Sequence, residues 1–277
     1  RFGGGAPGRR LALRGRIALR RSACPDPRRR RPMLRRVALR GRARRSAEAA
    51  TAPAAGDETA ASAAAGETRR QRMTNDAKAR ARLEIAHCEA VLAKAGLSVL
   101  GETLRDAPDI RAWDHYPPGD VFDPQSGAQW FYHCHAADPA QAAEPDPPAG
   151  EHGHYHCFVR PEGANGPIHH LAAIGVDAHG KLLRLFTVNR WVVGDDWLDA
   201  EGTIALLPRF DLEMPRPSYL VNRWLTAVFV AYEEEIAGLI RDRDRAIAAH
   251  RPPEGVAPRE DRALEVTSEL RIGPGAT

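Results

Sequence analysis

The 277 residues suffice for one medium domain or two small ones, since a single core takes roughly 100–200 residues. The formal net charge of +4 hides two unlike parts: residues 1–72 hold 20 Arg and 5 acids, a formal +15, whereas residues 73–277 carry 20 basic against 31 acidic residues, −11. The acidic part argues against nucleic acid as a partner of the folded domain, no apolar run reaches the roughly 18 residues of a membrane-spanning helix, and the four scattered cysteines form no disulfide framework.

In chain order, residues 1–72 combine an arginine-rich composition with alanine patches and the near-repeats 11–16 and 37–42, and they lack the large apolar side chains that offset chain entropy. They are read as a disordered extension, dispensable or upstream of a start at Met73. From Asn75 and Asp76, good N-cap types, a run of strong helix formers predicts a helix over about 76–95, with Ala81, Ile85, Cys88 and Leu92 as its apolar stripe and Gly96 closing it. A turn-rich loop with Pro117, Pro118 and Gly119 follows, containing His115 and Asp120. Aromatic density over 129–135 predicts a strand, 136–150 a linker, and 153–160 a second strand. Residues 168–176 and 181–191, joined by the turn 177–180, form the clearest hairpin, with Leu183, Leu185 and Thr187 alternating against Arg184, Phe186 and Val188. Ser218 is placed to cap one long helix over about 219–250, whose apolar stripe needs a sheet or another helix to cover, the sheet being the most obvious partner, and 251–277 reads as a frayed tail. The expected fold is therefore α+β: an antiparallel sheet of about four strands packed by the N-terminal helix and the long C-terminal helix, in one domain over 73–250.

Nine of the eleven histidines fall between residues 115 and 179. Strand alternation puts His133 and His135 on one face, Cys134 on the other, and likewise groups His152, His154 and His156 opposite Tyr155 and Cys157. Antiparallel pairing is expected to set His133 across from His156 and His135 across from His154. Opposed Cβ atoms lie about 4.5–5.5 Å apart, close enough for imidazoles to share one ion. His133, His135, His154 and His156 are thus the candidate ligands of a divalent transition metal, zinc among those that imidazole suits. A neutral hydrogen-bonded histidine network in a noncatalytic binding or structural domain is the competing reading. His169, His170 and His179 are read as surface residues.

Three resemblances bear on these residues. Locally, Gln129 to His135 is similar to the His-x-His strand of the zinc site in alpha-class carbonic anhydrases, which implies a site geometry and no activity. The run His152-Gly-His154-Tyr-His156-Cys-Phe158, followed by Arg160, resembles the histidine-triad nucleotide hydrolases and transferases, which implies His154 as a nucleophile between two orienting histidines. Over most of residues 73–250, the succession His115-Tyr-Pro-Pro-Gly-Asp120, Tyr132-His-Cys-His135, Glu151-His-Gly-His-Tyr-His156 and Thr187-Val-Asn-Arg-Trp191 resembles an uncharacterised bacterial family of unknown function, which implies no known activity.

Were a metal held by three of the histidines, an open position would remain for water, activated for hydrolysis or hydration of a small-molecule substrate. Glu151, His152 and Asp120 are the candidate acid, base or orienting groups, and Arg160 and Arg190 the candidates for gripping an anionic substrate. No Gly-x-Gly-x-x-Gly follows a strand, and no phosphate-loop lysine motif or Gly-x-Ser-x-Gly elbow is present, so nicotinamide, nucleoside-triphosphatase and serine-esterase chemistry lose support. A reducing cytoplasm is the expected location, given the cysteine usage.

Overall fold

The computed structural model describes residues 57–135 and 150–273. Its centre is one six-stranded antiparallel sheet in simple sequential order: β1 (Tyr116–Phe122), β2 (Ala128–Cys134), β3 (Glu151–Val159), β4 (His169–Asp177), β5 (Leu182–Val188) and β6 (Val266–Arg271). The helices are α1 (Asp57–Lys94), α2 (Val99–Thr103), α3 (Arg190–Val193), α4 (Ala200–Ile204), α5 (Tyr219–Ala231) and α6 (Glu233–Ala249). The α+β class agrees with the sequence reading, and the sheet is larger than the four strands expected.

The two added strands lie where the sequence disguises them. β1 occupies the proline-rich segment read as a loop; it is an edge strand with an irregular register against β2, the position in which proline is tolerated. β6 comes from the segment read as a frayed tail. Its residues pair with β5, Thr187 meets the Thr267 and Ser268 hydroxyls at 2.8 and 2.6 Å, and Ser268 Oγ donates to the Leu239 carbonyl at 2.8 Å. α1 begins well before residue 76 and runs unbroken through Met73. The expectation for residues 1–56 lies outside the described residues.

One sheet face carries the main core. Trp130, Tyr132, Tyr155, Leu171, Ile174 and Leu185 point into it and meet Ile85, Cys88 and Leu92 of α1 and Val221, Trp224, Leu225 and Val228 of α5, all essentially without exposure. The stripe expected on α1 is the stripe that is buried. The long C-terminal helix is instead two. Tyr232 leaves helical geometry (φ −119°, ψ 24°), and Glu233, Glu234 and Glu235 then occupy the first turn of α6, where acidic side chains interact favourably with the helix dipole. The continuous apolar stripe conceals the break, because α5 is buried on nearly every side while α6 buries mainly Ile236, Leu239 and Ile240. Ser218 stands at the N-cap of α5 without a side-chain hydrogen bond.

The other sheet face is built differently. It has a small apolar cluster of Ala173, Phe186 and Val188 toward β5, and beside it a field of aromatic and imidazole rings on β2, β3 and β4. Arg184, Phe186 and Val188 share this face, as strand alternation predicts.

Candidate metal centre

The register of β2 against β3 determines which imidazoles meet. His133 pairs with His154 and Phe131 with His156, a shift of two residues from the expected pairing. An even shift preserves the face, so His133, His154 and His156 still point to the same side. His135, just past the end of β2, joins them.

His152 does not. A β-bulge between Glu151 and Gly153 inserts one extra residue and reverses the alternation. The His152 ring turns to the core side, where its Nδ1 meets the Tyr132 hydroxyl at 2.6 Å, and the Glu151 side chain takes the place expected for His152. Gly153 permits this close approach. A Cβ there would lie 2.2 Å from the His133 carbonyl oxygen and 2.4 Å from the Tyr132 hydroxyl. The three histidines of the triad-like run therefore do not face one another, and the arrangement needed for a nucleophilic His154 flanked by two orienting imidazoles is not formed.

The cluster is tight. His154 Nε2 lies 2.8 Å from His133 Nε2 and 3.0 Å from His156 Nε2, and His154 Nδ1 lies 3.2 Å from His135 Nε2. His133, His135 and His154 offer ligand nitrogens that all fall within 4.8 Å of one another, so this cluster can hold a metal ion. His154 and His156 are buried at 4% and 1% exposure, while His133 and His135 are partly buried. His156 Nδ1 continues the chain to His170 Nε2 at 3.1 Å. His169 and His170 are both buried, correcting their assignment to the surface: the ring of His169 bonds to the Asp196 carbonyl and that of His170 to His156.

Burial sets the charge state. Desolvation pushes the His133 and His170 imidazoles down to about 3 and holds His154 and His156 well below the ordinary value, with neighbouring histidines adding to the effect at His133, His154 and His156 and the Arg243 guanidinium at His170. Near neutral pH these rings are uncharged, the form that ligates metals.

The proton count distinguishes the fit. A neutral imidazole has one N–H and one in-plane lone pair. Glu151 Oε1 lies 3.0 Å from His154 Nδ1, leaving Nε2 as the acceptor, yet two Nε2 atoms converge on it. One lone pair cannot be well aligned with two donors. Around a tetrahedral zinc with Zn–N near 2.0–2.1 Å the nitrogens would be separated by about 3.3 Å; His133 Nε2 and His156 Nε2 stand 2.8 and 3.0 Å from His154 Nε2, while His135 Nε2 stands 3.2 Å from the other ring nitrogen, Nδ1. The nitrogens of His133, His135 and His154 could together hold a metal ion.

The remaining predicted residues fall into two groups. Asp120 accepts from Gln129 Nε2 at 2.9 Å and pairs with His115 Nδ1 at 2.8 Å, and the His115 ring stacks on Phe131 with centroids 3.6 Å apart. Phe131 in turn touches the His133 and His156 rings, so Asp120 belongs to the rim of the cluster. Arg160 donates to Gln129 Oε1 at 2.8 Å and to the Gly166 carbonyl at 2.6 Å, and reaches the rim only through Gln129. Arg190 is engaged elsewhere, by Glu260 and by the Asp195 carbonyl. Cys134 and Cys157 face the core as expected.

Sequence reasoning missed four participants. His115 and His170 were separated from the cluster by their local context. Trp113, at φ +70°, sets its indole edge against His133 and His135 with centroids 5.6 and 4.9 Å away; a bulky residue in that backbone region is strained and concentrates at functional sites. Arg184, at 5% exposure, clamps Glu151. Its signal was available, since an arginine alternating with Phe186 and Val188 on an inner strand requires a buried partner.

The family model for a domain of unknown function, DUF6969, matches residues 79–272, which include all six strands and every residue of the cluster. The chain belongs to the DUF6969 family. The DUF6969 match runs through β6, consistent with that strand being integral to the fold. No curated protein and no solved structure matches the chain.

Proposed function

We propose that this DUF6969 domain binds a divalent transition metal, zinc by its donor set, through His133, His135 and His154 with His156 beside them, and uses it for hydrolysis or hydration of a small molecule. The observation that carries the reading is the convergence of the His133, His135 and His154 imidazole nitrogens within 4.8 Å of one another. A bound metal would lower the pKa of a water in the open position and supply hydroxide near neutrality.

The chain's own residues take definable parts. Trp113 and Phe131 wall the cluster and exclude bulk water on their side. His115, oriented by Asp120 and partly exposed, stacks on Phe131 at the rim of the site. It also lines a surface cleft of about 490 Å³ with Asp109, Arg111, Asp114 and Tyr116, a route by which a small substrate approaches. Glu151 orients a histidine rather than acting as a base, because both of its oxygens are occupied by Arg184.

A noncatalytic hydrogen-bonded network is the second reading. It is favoured by the nitrogen separations of 2.8 to 3.2 Å, which are ordinary hydrogen-bond lengths. Elemental analysis of the purified chain separates the two. Near one equivalent of metal, lost in the His133→Ala/His154→Ala variant, supports the metal reading. Metal-free protein that takes up no zinc on dialysis and keeps its full stability supports the network.

A further inference from the structure

The sheet face that presents the cluster also carries a charged ladder leading away from it. The Glu151 side chain is fully buried, and Arg184 grips it with two bonds, Nε to Oε2 at 2.5 Å and Nη2 to Oε1 at 3.1 Å. The guanidinium lies 3.8 Å over the Phe186 ring and donates from Nη1 to Glu269 Oε2 at 2.7 Å; Arg271 Nε holds the other Glu269 oxygen at 2.9 Å. Three strands, β3, β5 and β6, thus contribute to fixing one carboxylate. Arg184 is closed in by both carboxylates and the ring, so it is not offered to a substrate.

We propose that Arg184 is a positioning residue for the metal centre: by clamping Glu151 it fixes the tautomer of His154. His154 Nδ1 faces both Glu151 Oε1 at 3.0 Å and His135 Nε2 at 3.2 Å; an ionised carboxylate only accepts hydrogen bonds, so the clamped Glu151 holds the ring's N–H on Nδ1. Nε2 is then bare and directs its lone pair at His133 and His156. Which imidazole nitrogen is protonated follows from the bond the other one makes, and such outer partners orient ligands in metal sites. The two-point grip specifies arginine. Its planar fork holds the carboxylate in rotation as well as in place, whereas a lysine ammonium holds a point and leaves Glu151 free to turn. Without the clamp, Nδ1 keeps only the neutral His135 Nε2 beside it, which can donate as well as accept, and the N–H is free to move to Nε2, where it blocks the lone pair that faces the cluster.

This inference rests on the metal reading for its consequence but not for its geometry, and the test separates the two. Long-range ¹H–¹⁵N correlation spectra of histidine-labelled, metal-free full-length chain at neutral pH report the tautomer of His154 directly. Competition with a chromophoric chelator reports zinc affinity. The wild type is expected to show His154 as Nδ1–H. Arg184→Met is expected to shift it to Nε2–H or a mixture and to weaken zinc binding by about 10–100-fold, with Arg184→Lys between the two. Arg184→Lys retains a buried cation and serves as the informative variant should Arg184→Met fail to fold. A His154 that stays Nδ1–H in Arg184→Lys or Arg184→Met, or zinc affinity unchanged in both, overturns the proposal. A tautomer that switches as expected in a chain that never binds zinc upholds the positioning role and refutes the metal reading alone.

Discussion

Acidification should destabilise this domain at a pH where most carboxylates are still ionised. The folded chain holds His133 and His170 neutral down to about pH 3, whereas the unfolded chain protonates both near 6.5. Protons then bind preferentially to the unfolded state between these values, so the stability is complete above pH 6.5 and is lost as the pH falls toward 3. Each such group contributes at most about 1.4 kcal/mol per pH unit, so the two together remove about 4 kcal/mol between pH 7.5 and 5. His133 is only partly buried and solvent trims its share. The loss is comparable to the whole stability of a marginal domain, about 5–15 kcal/mol. Urea titrations followed by tryptophan fluorescence measure it, with the buried Trp130 and Trp224 as reporters. His170→Phe should flatten the slope by about one proton. A stability that is constant from pH 7.5 to 5, or that peaks near pH 5, would refute the claim that the fold keeps these rings neutral.

Gly153→Ala should cost about 1–3 kcal/mol or more and push β2 off β3, since the new Cβ would overlap the His133 carbonyl and the Tyr132 hydroxyl; denaturation midpoints and loss of the His152–Tyr132 contact in spectra check it. Ile174→Ala, in the middle of β4 with no exposure, should lose about 2–5 kcal/mol, and a cost under 1 kcal/mol would contradict the placement of the core. Deleting the residues after Arg262 removes β6 and uncovers the β5 edge, so the shortened chain should melt lower and expose Arg184 to solvent; unchanged melting would mean β6 contributes nothing to the fold.

The parts of this architecture that depend on periodicity were legible in the sequence. The apolar stripe of α1, the 177–180 hairpin and the sorting of His133 and His135 against Cys134 all follow from spacing, and spacing is written in the chain. What spacing cannot supply is register. β2 and β3 are not joined by a tight turn whose geometry would fix it, so the pairing of His133 with His154 rather than His156 comes from contacts across strands. The bulge that exchanges Glu151 for His152 is equally nonlocal, although Gly153 within a strand was a hint. β1 and β6 were hidden by prolines and by charge, each at an edge of the sheet where such residues are tolerated. His170 and Arg184 joined the site through strands distant in sequence, and only the sheet order brings them beside His156 and Glu151.

X-ray absorption at the zinc edge, on the chain loaded with one equivalent of zinc, tests the central claim most directly. The expected spectrum has three or four imidazole nitrogens at about 2.0–2.1 Å, falling in number when His133 or His154 is replaced by alanine. A first shell of water or carboxylate oxygen alone, unaltered by either substitution, would contradict a metal centre in the histidine cluster.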